Sequence, residues 1–125
     1  MTIFLKRVYE KPSAEDGKRI LVERLWPRGL KKEDARIDEW IKDVAPSTEL
    51  RKWYSHDPAK WAEFKKSYLK ELETKKDVVL RLAKESKDGK VTFVFGSKEE
   101  KLNNAAALKE YIEKSSAERN NRLAK

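Results

Sequence analysis

Two guanidinium groups, an indole and a glycine fall within the six residues Arg24-Leu-Trp-Pro-Arg-Gly, and the single histidine follows in Trp53-Tyr-Ser-His56-Asp57-Pro58. Arg24 and Arg28 offer forked, permanently charged donors that match phosphate or carboxylate oxygens, while Gly29 lets the backbone come close to a ligand. The same residues also read as packing, with Trp26 in the core and both arginines paired to acids of the segment Glu33 to Asp43. His56 is the candidate for proton transfer as general acid or base, or a donor to an anion held by Arg51. A structural imidazole bonded to loop backbone is the alternative. Asp57 is explained by capping, because Pro58 occupies the favoured first position of a helix. Ser47, followed by Thr48, either caps a helix or presents its hydroxyl and free N–H groups to an anion, and Arg51 one turn later faces the same side.

Several chemistries are excluded. With no cysteine in the chain there is no disulfide framework, thiolate zinc site or cysteine nucleophile, and one histidine leaves a metal site only carboxylates to complete it. No Walker-type phosphate loop and no Gly-x-Ser-x-Gly elbow occurs, and no cofactor is indicated. Lys and Arg exceed Asp and Glu by 30 to 22, for a formal net charge of +8. That excess suits a small anionic ligand, a nucleic-acid surface or solubility alone. Lys65-Lys66 and Lys75-Lys76 are balanced by neighbouring Glu, and three of the four tryptophans fall at apolar helix positions rather than on a basic stacking platform. Lys6 and Arg7 interrupt the first apolar residues, so no export signal is read, and no apolar run is long enough to span a bilayer. A soluble, cytoplasmic protein is expected.

The elements that must position these residues follow from periodicity. Ile3, Leu5 and Val8 mark a first strand, and the nearly continuous apolar run from Arg19 to Leu25 a second, covered on both faces and ended by Pro27 and Gly29. Ile37, Trp40, Ile41 and Val44 repeat at helical spacing and predict a helix over Glu33 to Asp43, stopped by Ala45-Pro46. A short helix follows Ser47. A third starts at Pro58 with Trp61, Phe64, Tyr68 and Leu72 inward, a fourth runs from Asp77 to Lys87, and a last one begins at Asn103 or Asn104. Between the last two, Val91 to Phe95 is the most strand-like segment. At 125 residues with 38% hydrophobic content, this is one α/β domain over residues 1–116. It has a small, mostly parallel sheet of about three strands covered by about five helices. Residues 117–125 are expected to form a basic tail, frayed or disordered. In such sheets ligands bind beyond the carboxyl ends of strands, here after Leu25 and after Phe95.

The motifs Arg24-Leu-Trp-Pro-Arg-Gly, Asp38-Glu-Trp40, Ala45-Pro-Ser47, Leu50-Arg-Lys-Trp53 and His56-Asp-Pro58, in this order, resemble the YeaO-like family of small bacterial and archaeal proteins. The likeness runs from the Arg7-Val-Tyr strand through Asn103-Asn104-Ala. It implies an α/β domain and no established activity. Members of that family tend to carry His directly before the Asn-Asn element, where this chain has Leu102. Chemistry then rests on His56 and the arginines, or the site binds without catalysing.

The reading favoured is a basic, Trp-lined pocket that binds a phosphate-bearing or nucleotide-like anion. Arg7, Arg24, Arg28 and Arg51 are the cationic candidates, Trp26 lines the pocket, Ser47 and Asn104 orient the ligand, and His56 is the one candidate for catalysis. Two alternatives use the same features, an enzyme acting on a phosphorylated or nucleotide-like substrate and a nucleic-acid-binding accessory protein.

Overall fold

A computed structural model describes the chain over residues 2–124, with side-chain detail as far as Ser116. Four strands form one wholly parallel sheet in the order β1-β4-β2-β3, with β1 at Ile3–Arg7, β2 at Lys18–Leu21, β3 at Glu39–Trp40 and β4 at Val91–Phe95. Five α-helices accompany it: α1 Lys32–Ala35, α2 Thr48–Tyr54, α3 Trp61–Glu73, α4 Lys76–Asp88 and α5 Asn104–Ala124. The expected tail over residues 117–125 lies outside the residues whose side chains are described.

Strand alternation divides the core in two. Ile20, Val22, Val91, Phe93 and Phe95 face α3, α4 and α5, where Tyr68, Leu72, Leu82, Leu108 and Ile112 meet them. Leu21 and Val94 point the other way, to Val8 and Ala35, with Trp26 and Trp40 packed beside them. β4 is buried at all five positions because it lies between two strands and under both layers.

The helix expected over Glu33 to Asp43 does not form. α1 is one turn long, ends at Arg36 in a left-handed conformation (φ 48°), and gives way to β3, which pairs Glu39 with Ile20 and Trp40 with Leu21. The four apolar residues that imitated a helical stripe serve opposite faces of the sheet. Ile37 and Trp40 join the smaller cluster and Ile41 and Val44 the larger one. The second strand is also shorter than expected. It ends at Leu21, and Leu25 is 59% exposed instead of buried.

At the amino-terminal end of the sheet, Asp16 gathers polar groups from three elements. It accepts from Lys6 Nζ (3.1 Å), the Ser13 N–H (3.0 Å) and the buried guanidinium of Arg19 (2.6 Å), whose other nitrogens donate to the Ala35 carbonyl. Burial pushes the Asp16 carboxyl up, but the Ser13, Lys6 and Arg19 hydrogen bonds outweigh it and hold the group below its ordinary range. At the sheet edge, Arg81 pulls the Glu39 carboxyl down to about 2 against partial burial, with help from Lys18.

Gly17 occupies φ 65° with the Lys90 carbonyl where a Cβ would go, and that carbonyl is fixed by the Lys18 N–H. Gly17→Ala is therefore expected to destabilise the protein by roughly 2–5 kcal/mol, read from denaturant titration. The depressed carboxyls set a pH dependence. Both groups bind protons less tightly in the folded chain, so their stabilisation is complete above the unfolded value of about 4.5 for Glu and is lost as pH falls towards about 2. The melting temperature should drop through that window, and the drop should be shallower in Glu39→Gln.

Candidate functional site

Where β2 and β4 end, the chain departs from the sheet around a cavity of about 380 Å³. This is the end at which parallel sheets of this kind take ligands. The floor is set by the residues just after β2. Val22 still accepts from Asn104 Nδ2 through its carbonyl (2.9 Å), and the Glu23 carbonyl accepts from the Trp40 indole (2.7 Å). With its backbone fixed from both faces of the sheet, Glu23 turns its carboxylate to the Gly96 N–H at the end of β4 (3.2 Å). Burial pushes this carboxyl above its ordinary range, and the Gly96 hydrogen bond and the positive fields of His56 and Arg51 counter that only in part.

The opposite wall comes from the end of α2 and the start of α3. Tyr54 is buried, stacks on Phe64 with centroids 4.3 Å apart, and donates to the Leu102 carbonyl (3.3 Å). Burial raises its phenol first, and the charges of Glu99 and Asp57 add to the effect. α2 is stopped by Ser55 and His56, two consecutive non-glycine residues in the left-handed region (φ 45° and 58°), which carries His56 into the cavity lining. Asp57 caps the following turn through the Ala59 N–H (3.0 Å). The loop after β4 is braced by Glu99, whose carboxylate accepts from the Lys101 and Leu102 N–H groups, which hold it below its ordinary range. Asn103 donates to the Glu99 carbonyl (2.8 Å) and caps α5 through the Ala106 N–H (2.9 Å).

Of the residues singled out from the sequence, the structure brings Arg28, Arg51, His56 and Asn104 into this lining. The others lie elsewhere. Arg7 stands behind the wall, donating from Nε to the Ser97 carbonyl (2.9 Å) and lying over the Tyr9 ring. Trp26 is in the smaller core cluster, edge-on to Trp40 with its indole donating to the Leu30 carbonyl, so the cavity is lined by Tyr and Phe and not by Trp. Arg24 donates to the Pro46 carbonyl and, with Ser47, lines a separate cavity of about 430 Å³. There the Ser47 N–H and hydroxyl donate to the two oxygens of Glu71 (2.8 and 2.6 Å). The anion that Ser47 was expected to meet is the protein's own carboxylate.

Glu23 was missed by the sequence reading, although a signal was present. A carboxylate embedded in Ile20-Leu-Val-Glu-Arg-Leu25, a run read as buried on both faces, is a residue whose charge needs a partner. Leu102, where the resemblance places His, is part of the wall. Among the described residues, no group of acidic and imidazole side chains is placed to hold a metal ion, and no helix is long and apolar enough to cross a membrane.

A small parallel α/β domain with a mixed polar and aromatic cavity at its strand ends belongs, on comparison, to the DUF488 family. A model of the subclade described as inactive DUF488-N3 matches residues 2–125. The chain is similar to the uncharacterized protein YeaO of Escherichia coli (strain K12), at 42% identity over 112 residues, covering 90% of this chain and 97% of that one. It is also similar to uncharacterized proteins of Mycobacterium bovis and Mycobacterium tuberculosis, each 53% identical over 66 residues, which is 53% of this chain and 56% of theirs. No solved structure matches.

The left-handed backbone of His56 gives a test of whether its side chain is kept for stability. Glycine adopts this conformation without steric cost, so His56→Gly should melt no lower than the wild type and gain up to about 1 kcal/mol. A clear loss in thermal denaturation would assign the imidazole to packing against Tyr54, with which it makes a ring contact of 6.1 Å.

Proposed function

We propose that this protein binds a small phosphate-bearing or nucleotide-like ligand in the cavity at the ends of β2 and β4, as a binding protein and not as an enzyme. The observation that carries this reading is the grouping of Arg28, Arg51 and His56, all exposed, around concave space whose inner walls are Pro27, Pro46 and Phe64. Guanidinium groups beside apolar walls bind phosphate more strongly than they would in open water, because the pair is partly desolvated. The volume suits a small ligand. Binding without turnover accords with the description of the subclade as inactive, and with an apolar Leu102 at the position where the resemblance places a second imidazole. The cysteine-free sequence fits a cytoplasmic setting.

A second reading, catalysis on a phosphorylated substrate, draws on Glu23 and His56 as two titratable groups sharing one cavity. It requires turnover that disappears in His56→Ala. The net charge of +8 favours a third reading, a nucleic-acid surface, whose affinity would fall steeply with salt and depend on dispersed lysines.

Thermal-shift titration with inorganic phosphate and AMP at two salt concentrations separates these readings. Saturating AMP should raise the melting temperature by several degrees, as expected when ligand exceeds its Kd about 100-fold. Arg28→Ala and Arg51→Ala should each weaken that binding about 10- to 100-fold, the usual loss for a charged hydrogen bond. Stabilisation by oligonucleotides alone, unaffected by either substitution, would retire the cavity.

A further inference from the structure

The polarity of the cavity is graded from outside to inside, and the following step rests on the phosphate-binding reading above. The exposed nitrogen groups at its rim are donors, the guanidinium groups of Arg28 and Arg51 and the imidazole of His56. Deeper in, the free positions are acceptors. Asn104 is nine-tenths buried and spends Nδ2 on the Val22 carbonyl, and among the described residues no donor reaches its Oδ1. Glu23 spends Oε1 on the Gly96 N–H, and its Oε2 likewise meets no donor among the described residues. A carboxylate oxygen and an amide oxygen are thus left open on the wall of one cavity, free to accept from a ligand.

We infer that the ligand is a phosphomonoester whose far end presents N–H donors, with the phosphate at Arg28 and Arg51 and the N–H groups on Glu23 and Asn104. Bare phosphate satisfies only the rim. A ligand ending in a methyl group or a carbonyl would leave both inner acceptors unpaired, and a second anion would meet the Glu23 carboxylate directly. The N–H donor belongs to either of two kinds of molecule, an aminoalkyl phosphate or a nucleotide with an exocyclic amino group. Glu23 is, in this arrangement, the residue that sets specificity, while the arginines supply charge.

Matched probes separate these features. Phosphoethanolamine is compared with ethyl phosphate, and AMP with purine riboside monophosphate, which lacks the amino group. Dissociation constants come from calorimetry on the full chain at one pH and one salt concentration. In at least one pair the N–H-bearing member should bind roughly 10-fold tighter or more, and which pair it is identifies the kind of ligand. In Glu23→Gln the gap should close while the shared dependence on Arg28 persists, because the amide turns donors towards the ligand's donors. Equal affinities within both pairs, with Arg28 still required, would overturn the inference and leave phosphate binding standing. No binding by any phosphomonoester would remove both. The wild-type comparison decides the matter even if Glu23→Gln does not fold.

Discussion

The three hydrogen bonds that hold Val22 and Glu23 as they leave the sheet are the constraint on which the cavity depends. Asn104 reaches Val22 from the start of α5, Trp40 reaches the Glu23 carbonyl from the edge strand, and Gly96 meets the Glu23 carboxylate from the end of β4. Each comes from a different stretch of chain, and together they fix a segment with no ladder partner on one side. Without them, the residues after β2 would be an ordinary exposed loop, and Glu23 would have no reason to turn inward. Burial still pushes that carboxyl up, and the Gly96 N–H and the charge of Arg51 offset the effect only in part.

Much of the architecture was legible because strands and long helices announce themselves by period. β4 is the densest apolar run in the chain, and α3 and α4 have well-separated polar and apolar faces. The error over Ile37 to Val44 has a definite cause. Periodicity counts spacing but not direction, and a chain that crosses a sheet edge within eight residues delivers apolar side chains to two opposite cores at intervals that imitate a helix. A two-residue strand leaves no alternating pattern to detect.

The site was legible in part for a related reason. Arg28, Arg51, His56 and Asn104 stood out because their types are expensive to keep without a purpose, and tertiary structure brings them to one place. Arg24 and Ser47 have the same chemical credentials but use them internally, on the Pro46 carbonyl and on Glu71. Nothing in their local sequence marks the difference, because the deciding partner of Ser47 lies 24 residues away. Glu23 was overlooked because the run around it was read from its apolar residues alone, and the one carboxylate among them was not asked for a partner.

The strand order has a consequence for how the molecule comes into being. β4 is the interior strand that joins β1 to β2, yet it is the last of the four to be made, and β1 and β2 do not pair with each other. During synthesis, some 70 residues must therefore emerge beyond β2 before β4 can join it to β1; until then β1 has no ladder partner and β2 has only the two-residue β3. Non-local parallel pairing of this kind closes long loops before it gains contacts, which places the chain towards the slow end of folding for its size. The anchors of the cavity, Gly96 and Asn104, lie just beyond that strand, so the cavity is assembled in the same late step that completes the sheet.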